Sequence, residues 1–387
     1  MKILNILFVT FLVTLFFSKV WAYPNFVGYG YTSCVTCHYN PYGNGPLTDY
    51  GRALSATAIS NRLLIHNKDK TEEKIAEESG FLYMKSFNNW VRPSIDYRGL
   101  RLVREVNKDQ AKYDTIHMQL DANIVVKLNG VDDKYIASIS YGYAPTPRAQ
   151  KGKDVGNYRS REHYIGIRPN QEYGLYIGMM DKVFGIRVPD HIAFSRSTNG
   201  LAQNDQTHGL LLHYTKEKFE VGLHSFLGNL DQSSDLRQKG FSSKFEYTFS
   251  NRFKPGVSLL KSESEYLKNS IYAVHTKVGF SKGSSSLLEV GSKVQEVLST
   301  NIDTQSYYGL LQNHLLLHRG LFTLFTFEYF KADTEKDNET FRFGPGIQFF
   351  PFQGVEIRFD VYNTKNFSSS SATKDNWDAG GQLHLWF

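Results

Sequence analysis

The feature that most constrains this chain is a period-two alternation that begins near residue 93 and recurs to the last residue. Ile116, Met118, Leu120, Ala122, Ile124 and Val126 alternate with Thr115, His117, Gln119, Asp121 and Asn123, and Lys127 closes the run. Phe219, Val221 and Leu223 alternate with Lys218, Glu220, Gly222 and His224. Tyr272, Val274, Thr276, Val278 and Phe280 alternate with Ala273, His275, Lys277 and Gly279. Val355, Ile357, Phe359 and Val361 do so with Glu356, Arg358, Asp360 and Tyr362. Successive side chains of a strand point to opposite faces, so each run carries one apolar and one polar face.

A soluble sandwich also alternates, with its polar face in water. Three features favour a membrane barrel. The runs are about ten residues long and continue to the chain end. Some connections are very short (Pro169-Asn170, Arg319-Gly320) and others long and polar (residues 183–205), the asymmetry of periplasmic turns and outer loops. The chain closes on Gly381-Gln382-Leu383-His384-Leu385-Trp386-Phe387, a strand ending in phenylalanine like the assembly signal of bacterial outer-membrane proteins. The expected fold is mainly β: a transmembrane antiparallel barrel of about sixteen strands, an even number as single-chain bacterial barrels require. A lumen of that size has room for water or a plug. Mean hydropathy is negative, but only alternate residues of such a barrel face lipid. The 24 Tyr and 28 Phe suit aromatic girdles. A net charge of +6 with both signs interspersed shows no nucleic-acid stripe.

The first 22 residues read as a secretory signal. Lys2 is its positive end, Ile3 to Phe17 its apolar core, and Val20-Trp21-Ala22 its cleavage site. The chain's only two cysteines follow at once, in Cys34-Val35-Thr36-Cys37-His38. C-x-x-C-H is the attachment signature of haem c. The two thiols match the two vinyl groups on one porphyrin edge, and the adjacent histidine falls under the iron as proximal ligand. A redox dithiol wants a βαβ context, and a zinc site wants further ligands; the sequence offers neither.

After the motif, Asn40-Pro41-Tyr42-Gly43-Asn44-Gly45-Pro46 is a turn able to wrap a haem edge, and Thr48 or Asp49 starts a short helix. Arg52 is either a propionate partner, its planar fork suiting carboxylates, or a surface arginine. For the distal iron ligand, the side chains with suitable chemistry before the barrel are His66 and Met84. Each has a bland alternative, solvent exposure for His66 and apolar packing beside Phe81, Leu82 and Tyr83 for Met84. The barrel lumen or water are the remaining sources. The layout expected is a signal peptide at 1–22, a haem c-binding segment at 23–66, a charged linker at 67–92 and the barrel at 93–387.

The segment from Val183 to Asp205 is long and rich in Arg, Asp and Asn. We read it as an extracellular loop held by its own polar bonds. The alternative is that it folds into the barrel near the haem, where Arg187 or Arg196 would meet propionates and Asp190 with His191 would make a proton or metal contact. His117, His224, His275 and His384 fall on the lumen phase as plain polar lining, and Met180 does too.

With these parts laid out, the chain resembles the fused monohaem cytochrome–porins of bacterial outer membranes, the best known of which act in extracellular iron oxidation. The resemblance implies that Cys34 and Cys37 bind haem, that His38 ligates iron, and that the barrel moves electrons. They would pass between an extracellular donor or acceptor and a periplasmic cytochrome or other carrier. The iron-oxidising activity itself does not follow from the motifs. Two other functions compete: a passive channel with a haem-bearing plug, and a haem enzyme or gas sensor with an open iron site. No catalytic triad, phosphate loop or hydrolase metal motif is present.

Overall fold

The computed structural model describes residues 25–43, 45–63, 69–85, 88–107, 110–130, 132–143, 157–190, 192–368 and 371–387. The signal peptide, His66 and His191 lie outside the described residues.

Among the described residues, seventeen strands form one antiparallel sheet. They are β1 (Val91–Asn107), β2 (Gln110–Lys127), β3 (Tyr135–Tyr143), β4 (Tyr158–Arg159), β5 (His163–Ile167), β6 (Tyr173–Met180), β7 (Thr207–Lys216), β8 (Phe219–Gly228) and β9 (Lys239–Tyr247). Then come β10 (Phe253–Glu263), β11 (Leu267–Ser281), β12 (Ser284–Val297), β13 (Ile302–His318), β14 (Leu321–Lys331), β15 (Glu339–Phe349), β16 (Val355–Ser368) and β17 (Ser371–Trp386). Both β4 and β5 pair with β3, so they are two halves of one span broken at residues 160–162. The barrel therefore has sixteen spans, as the alternation predicts. It closes by pairing β1 with β17, from Asp96↔Trp386 to Arg104↔Asp378. The terminal Phe387 completes the seam: it and Ile95 exchange both backbone hydrogen bonds, each 2.9 Å. A closed sheet has no edge, which satisfies every strand where lipid offers no partner.

Burial is inverted relative to a soluble domain. Large apolar side chains such as Ile124, Ile165, Ile177, Leu210 and Val274 stand exposed on the outer face. Charged ones are enclosed: Glu246 and Glu328 are wholly buried, and Glu220, Lys254 and His275 nearly so. The alternation is thus apolar-out and polar-in, the arrangement that lipid outside and a polar lumen inside require. Around β8–β11 the buried charges neutralise one another. Glu246 meets Lys277 at 2.7 Å, His275 at 3.0 Å, Lys244 at 3.2 Å and Lys254 at 3.4 Å. His224 and His275 are buried on the lumen side, and His384 lines the lumen, as expected. His117 differs. A register shift at Arg98/Gly99 reverses the phase of β2 beyond Gln119, and His117 turns outward, its Nδ1 3.1 Å from the Tyr97 hydroxyl.

The two ends of the barrel are unlike. One carries tight turns, including Ser281–Ser284 and His318–Leu321. Gly320 in the second of these has φ 79°, and a Cβ there would stand 2.7 Å from the Asn61 nitrogen and from the Phe350 carbonyl. The other end carries the long connections. Residues 25–61 enter the lumen at the tight-turn end. Ile59 joins an apolar cluster with Phe322, Leu324 and Phe350, against which Phe26 and Tyr29 pack. Asn61 Nδ2 donates to the Arg319 carbonyl (2.9 Å), and Arg319 Nε donates back to the Ser60 carbonyl (2.8 Å).

The 183–205 segment is not an external loop. Val183, Phe184, Ile186 and Val188 are at most 7% exposed, because the segment turns inward and packs against the inner wall. Glu289 on β12 accepts from the Ile186 amide at 2.5 Å and from the Tyr308 hydroxyl at 3.1 Å. Ser258 accepts from the Gly185 amide at 2.9 Å. Four apolar side chains outweigh the segment's charges, each contributing about 1.5–3 kcal/mol when buried. The charges find partners inside. Arg187 pairs with Asp181, and Arg196 donates to the Val188 carbonyl (2.6 Å) and the Leu201 carbonyl (2.9 Å).

Candidate functional site

The C-x-x-C-H motif lies inside the barrel. Cys34–Thr36 form one 3-10 turn, closed by the Cys37 and His38 amides donating to the Cys34 carbonyl at 3.1 and 3.0 Å. The turn sets both sulfurs and the imidazole on a single compact loop. The Gly/Pro/Asn run returns the chain so that His38 bridges Leu47. Gly43 has φ 82°, and a Cβ there would come 3.1 Å from Cys34 Sγ, so the wrap needs glycine on both counts. Thr48 caps the helix Asp49–Leu54, its Oγ1 accepting from the Gly51 amide at 3.1 Å, while its own amide donates to the Cys37 carbonyl at 2.9 Å. That helix lies directly against the motif: a Cβ on Gly51 would collide with the Cys37 carbonyl oxygen.

Two adjoining cavities of about 230 and 220 Å³ flank the motif. His38, Gly43, Phe26, Arg187, Pro189 and Arg196 line both. Cys34, Cys37, Lys244 and Lys277 line the second. Arg52 lines the first; it is 7% exposed, and its Nη2 donates to the Pro93 carbonyl at 3.1 Å. It is therefore not a surface arginine. Burial lowers the pKa of its guanidinium. Arg196 is lowered to about 10, first by burial and then by neighbouring Arg98. Burial, and then the neighbouring Cys34, push the Cys37 thiol up to about 12.

Met84 is not brought to the motif. It is half-exposed, beside Phe81 and Pro93, and lines neither cavity that His38 lines. Met180 is spent in a different way. It is fully buried in an apolar cluster with Tyr39, Tyr42, Val183, Tyr164 and Tyr176, which joins the inserted segment and the inward loop to the wall. His384 does line the first cavity. Its two ring nitrogens engage Glu356 (3.0 Å) and Asp96 (3.2 Å), so it is held as an ion-pair member.

Sequence reasoning missed Arg161 and Glu162. The break between β4 and β5 turns both consecutive residues inward, at 4% and 2% exposure. Ser140 Oγ accepts both of their amides, at 3.1 and 2.8 Å. Arg161 then grips Asp121 with Nη1 at 2.8 and 2.7 Å, and Glu162 accepts from Asn40 Nδ2 at 2.7 Å. Glu162 thereby ties the motif's flank to the wall. The alternation begins only at His163, so nothing periodic in the sequence marks Arg161 and Glu162.

The sequence matches no protein-family model and no curated protein. Solved structures do resemble it. A loop-deletion mutant of OmpT, an outer membrane protein of Vibrio cholerae, superposes with TM-score 0.61 at 10% identity, over 77% of this chain and 99% of that one. The outer membrane channel DcaP of Acinetobacter baumannii gives 0.58 at 13% identity, over 77% and 97%. An anion-selective porin from Comamonas acidovorans gives 0.57 at 8% identity, over 77% and 99%. Each match spans nearly the whole partner, and the share matched here is close to that of the strand-bearing residues 91–386. The chain is a β-barrel with the fold of outer-membrane porins.

Proposed function

We propose that this barrel carries one covalent haem c on Cys34 and Cys37, with His38 as iron ligand, and serves electron transfer at the outer membrane. The carrying observation is the placement of the motif: its sulfurs and imidazole face two contiguous cavities inside the lumen. Together these fall in the range of small-molecule sites, about 300–1,000 Å³. Cys34 and Cys37 would hold the group through thioethers at its two vinyl positions, and His38 would ligate its iron. The bound group supplies one-electron redox chemistry at iron.

The chain's own residues do the rest. His38 lines both cavities, so its imidazole is available to an iron held there. Arg52 in the first cavity offers a cation to a carboxylate group, while Lys244 and Lys277, which line the second, are already held by Glu246. The inserted segment and the inward loop exclude bulk water through the Tyr39–Tyr42–Val183 cluster. The sixteen spans hold this assembly in an insulating bilayer, leaving a periplasmic carrier one end to approach and an extracellular donor or acceptor the other.

The test is a reduced-minus-oxidised absorbance spectrum of outer-membrane fractions from wild type and Cys37→Ala. The reading expects a c-type band that vanishes in the variant. No band in the wild type, with the barrel in the membrane, overturns it and leaves a plugged passive channel.

A further inference from the structure

At the long-loop rim, next to Glu162 in the chain but on the outer face of the wall, one cross-strand row carries His163 on β5, Met179 on β6 and His208 on β7. The next residues on the same face are Ile165, Ile177 and Leu210, so the row sits just above the lipid-facing surface. The two imidazoles lean toward each other across the intervening strand. Their Nε2 atoms stand 3.1 Å apart and their ring centroids 5.0 Å apart. Met179 beneath them is 1% exposed.

Hydrogen bonding sets the tautomers. The Leu230 amide donates to His208 Nδ1 at 3.2 Å, so the His208 hydrogen is on Nε2 and points at His163 Nε2. His163 then carries its hydrogen on Nδ1, 2.9 Å from Ser160 Oγ. The contact is one shared hydrogen between two nitrogens that both have ligand chemistry.

We propose that His163 and His208 form a binding site for a borderline transition-metal ion, zinc or copper(II), held by the two Nε2 atoms. At metal–nitrogen distances of about 2.0–2.1 Å, a 3.1 Å separation corresponds to a ligand–metal–ligand angle of about 100°, within reach of tetrahedral geometry. The nitrogens already stand at chelating distance, so binding needs little movement of the strands. The His163 Nδ1–H to Ser160 bond is the outer-shell hydrogen bond that metal-bound imidazoles keep. Among the described residues no three His, Cys, Asp or Glu side chains gather into a metal site. The ion therefore completes its shell with water or with the Met179 thioether on the same row.

Binding moves the His208 hydrogen from Nε2 to Nδ1 with no net release of protons. The Leu230 amide must then let go of His208. Leu230 is half-exposed, so water takes over its amide. The site is thereby linked to the 229–238 connection, which Arg237 otherwise holds by donating to the Leu230 and Gln232 carbonyls at 2.8 Å each. The charged group acting on His163 is Asp231 on that connection, which also acts on Arg159 of β4.

The experiment is equilibrium binding of Zn²⁺, and separately Cu²⁺, to detergent-purified protein without a polyhistidine tag, with bound metal counted by mass spectrometry. Iron is counted apart, so the result does not depend on haem attachment. One equivalent is expected for wild type, with affinity at least tenfold weaker in His163→Gln and in His208→Gln. Heat-modifiable gel migration checks that both variants keep the barrel. Absence of a bound equivalent in wild type, or wild-type binding by the His163→Gln/His208→Gln double variant, overturns the proposal.

Discussion

Replacing Arg161 by methionine keeps an unbranched stem and removes the charge. In the native barrel every nitrogen of the Arg161 guanidinium has an acceptor. Nη1 takes both oxygens of Asp121 at 2.8 and 2.7 Å. Nη2 takes the Met118 and Tyr143 carbonyls at 2.9 and 3.0 Å, and Nε takes Asn204 Oδ1 at 3.0 Å. The pair is enclosed, with side-chain exposures of 4% and 3%. In Arg161→Met the Asp121 carboxylate keeps one hydrogen bond, from Gln119 at 2.8 Å, and no cation. Breaking a buried pair from one side costs about 3–5 kcal/mol, because a charge is left unpaired in a poor solvent. That is roughly two to three and a half decades in the folding constant. Asp121→Asn alone strands the guanidinium and should cost a similar amount. The double variant buries no unpaired charge and should cost only the lost hydrogen bonds, about 1–3 kcal/mol. Urea unfolding of the barrel in lipid vesicles, followed by tryptophan fluorescence, measures all three. The expected signature is strong non-additivity, with the double variant more stable than either single one. Single variants costing under about 1 kcal/mol, or costs that simply add, would refute the claim that this enclosed pair is what clamps the strand break to β2.

Three further outcomes follow from the same geometry. Gly43→Val places a side chain at φ 82° against Cys34 Sγ, so haem incorporation, read as the c-type band per barrel, should fall severalfold; full incorporation would show that the wrap is not needed for attachment. In reduced, haem-free protein at neutral pH, iodoacetamide should label Cys34 before Cys37, since Cys37 is 4% exposed and its thiol is held protonated; equal rates by peptide mass analysis would contradict this. Glu289→Leu orphans the Ile186 amide at a cost of about 1–3 kcal/mol, so amide exchange at residues 183–188 should quicken by about one or two decades; unchanged protection would mean that apolar contacts alone seat the loop.

The barrel was legible because lipid imposes a rule that survives in one dimension. Ile124, Ile165 and Val274 had to be apolar and their neighbours had not, so strand type, phase and closure on Phe387 could all be read from period two. The rule fails where both faces meet something apolar. Val125, Ile136 and Leu211 point inward, yet are apolar, because Tyr39, Tyr42 and Val183 fill the lumen beside them. His117 was misplaced because one bulge reverses the side chains on its far side, and a bulge leaves no mark in composition.

The sequence by itself determined the chemistry of the motif and the kind of wall around it: two thiols and an imidazole at a spacing no strand or loop needs, and sixteen alternating spans. Both are local patterns, set within a few residues of chain. Only the tertiary structure decided what stands beside the motif. The inward turn of 183–205, the Arg161–Asp121 clamp, the Glu162–Asn40 tie and the burial of Arg52 all join residues 40 or more positions apart, Glu162 and Asn40 by 122. Such contacts exist because closing the sheet creates a lumen whose buried polar groups must each be answered. Which residue answers which depends on the circumference and register of the closed barrel.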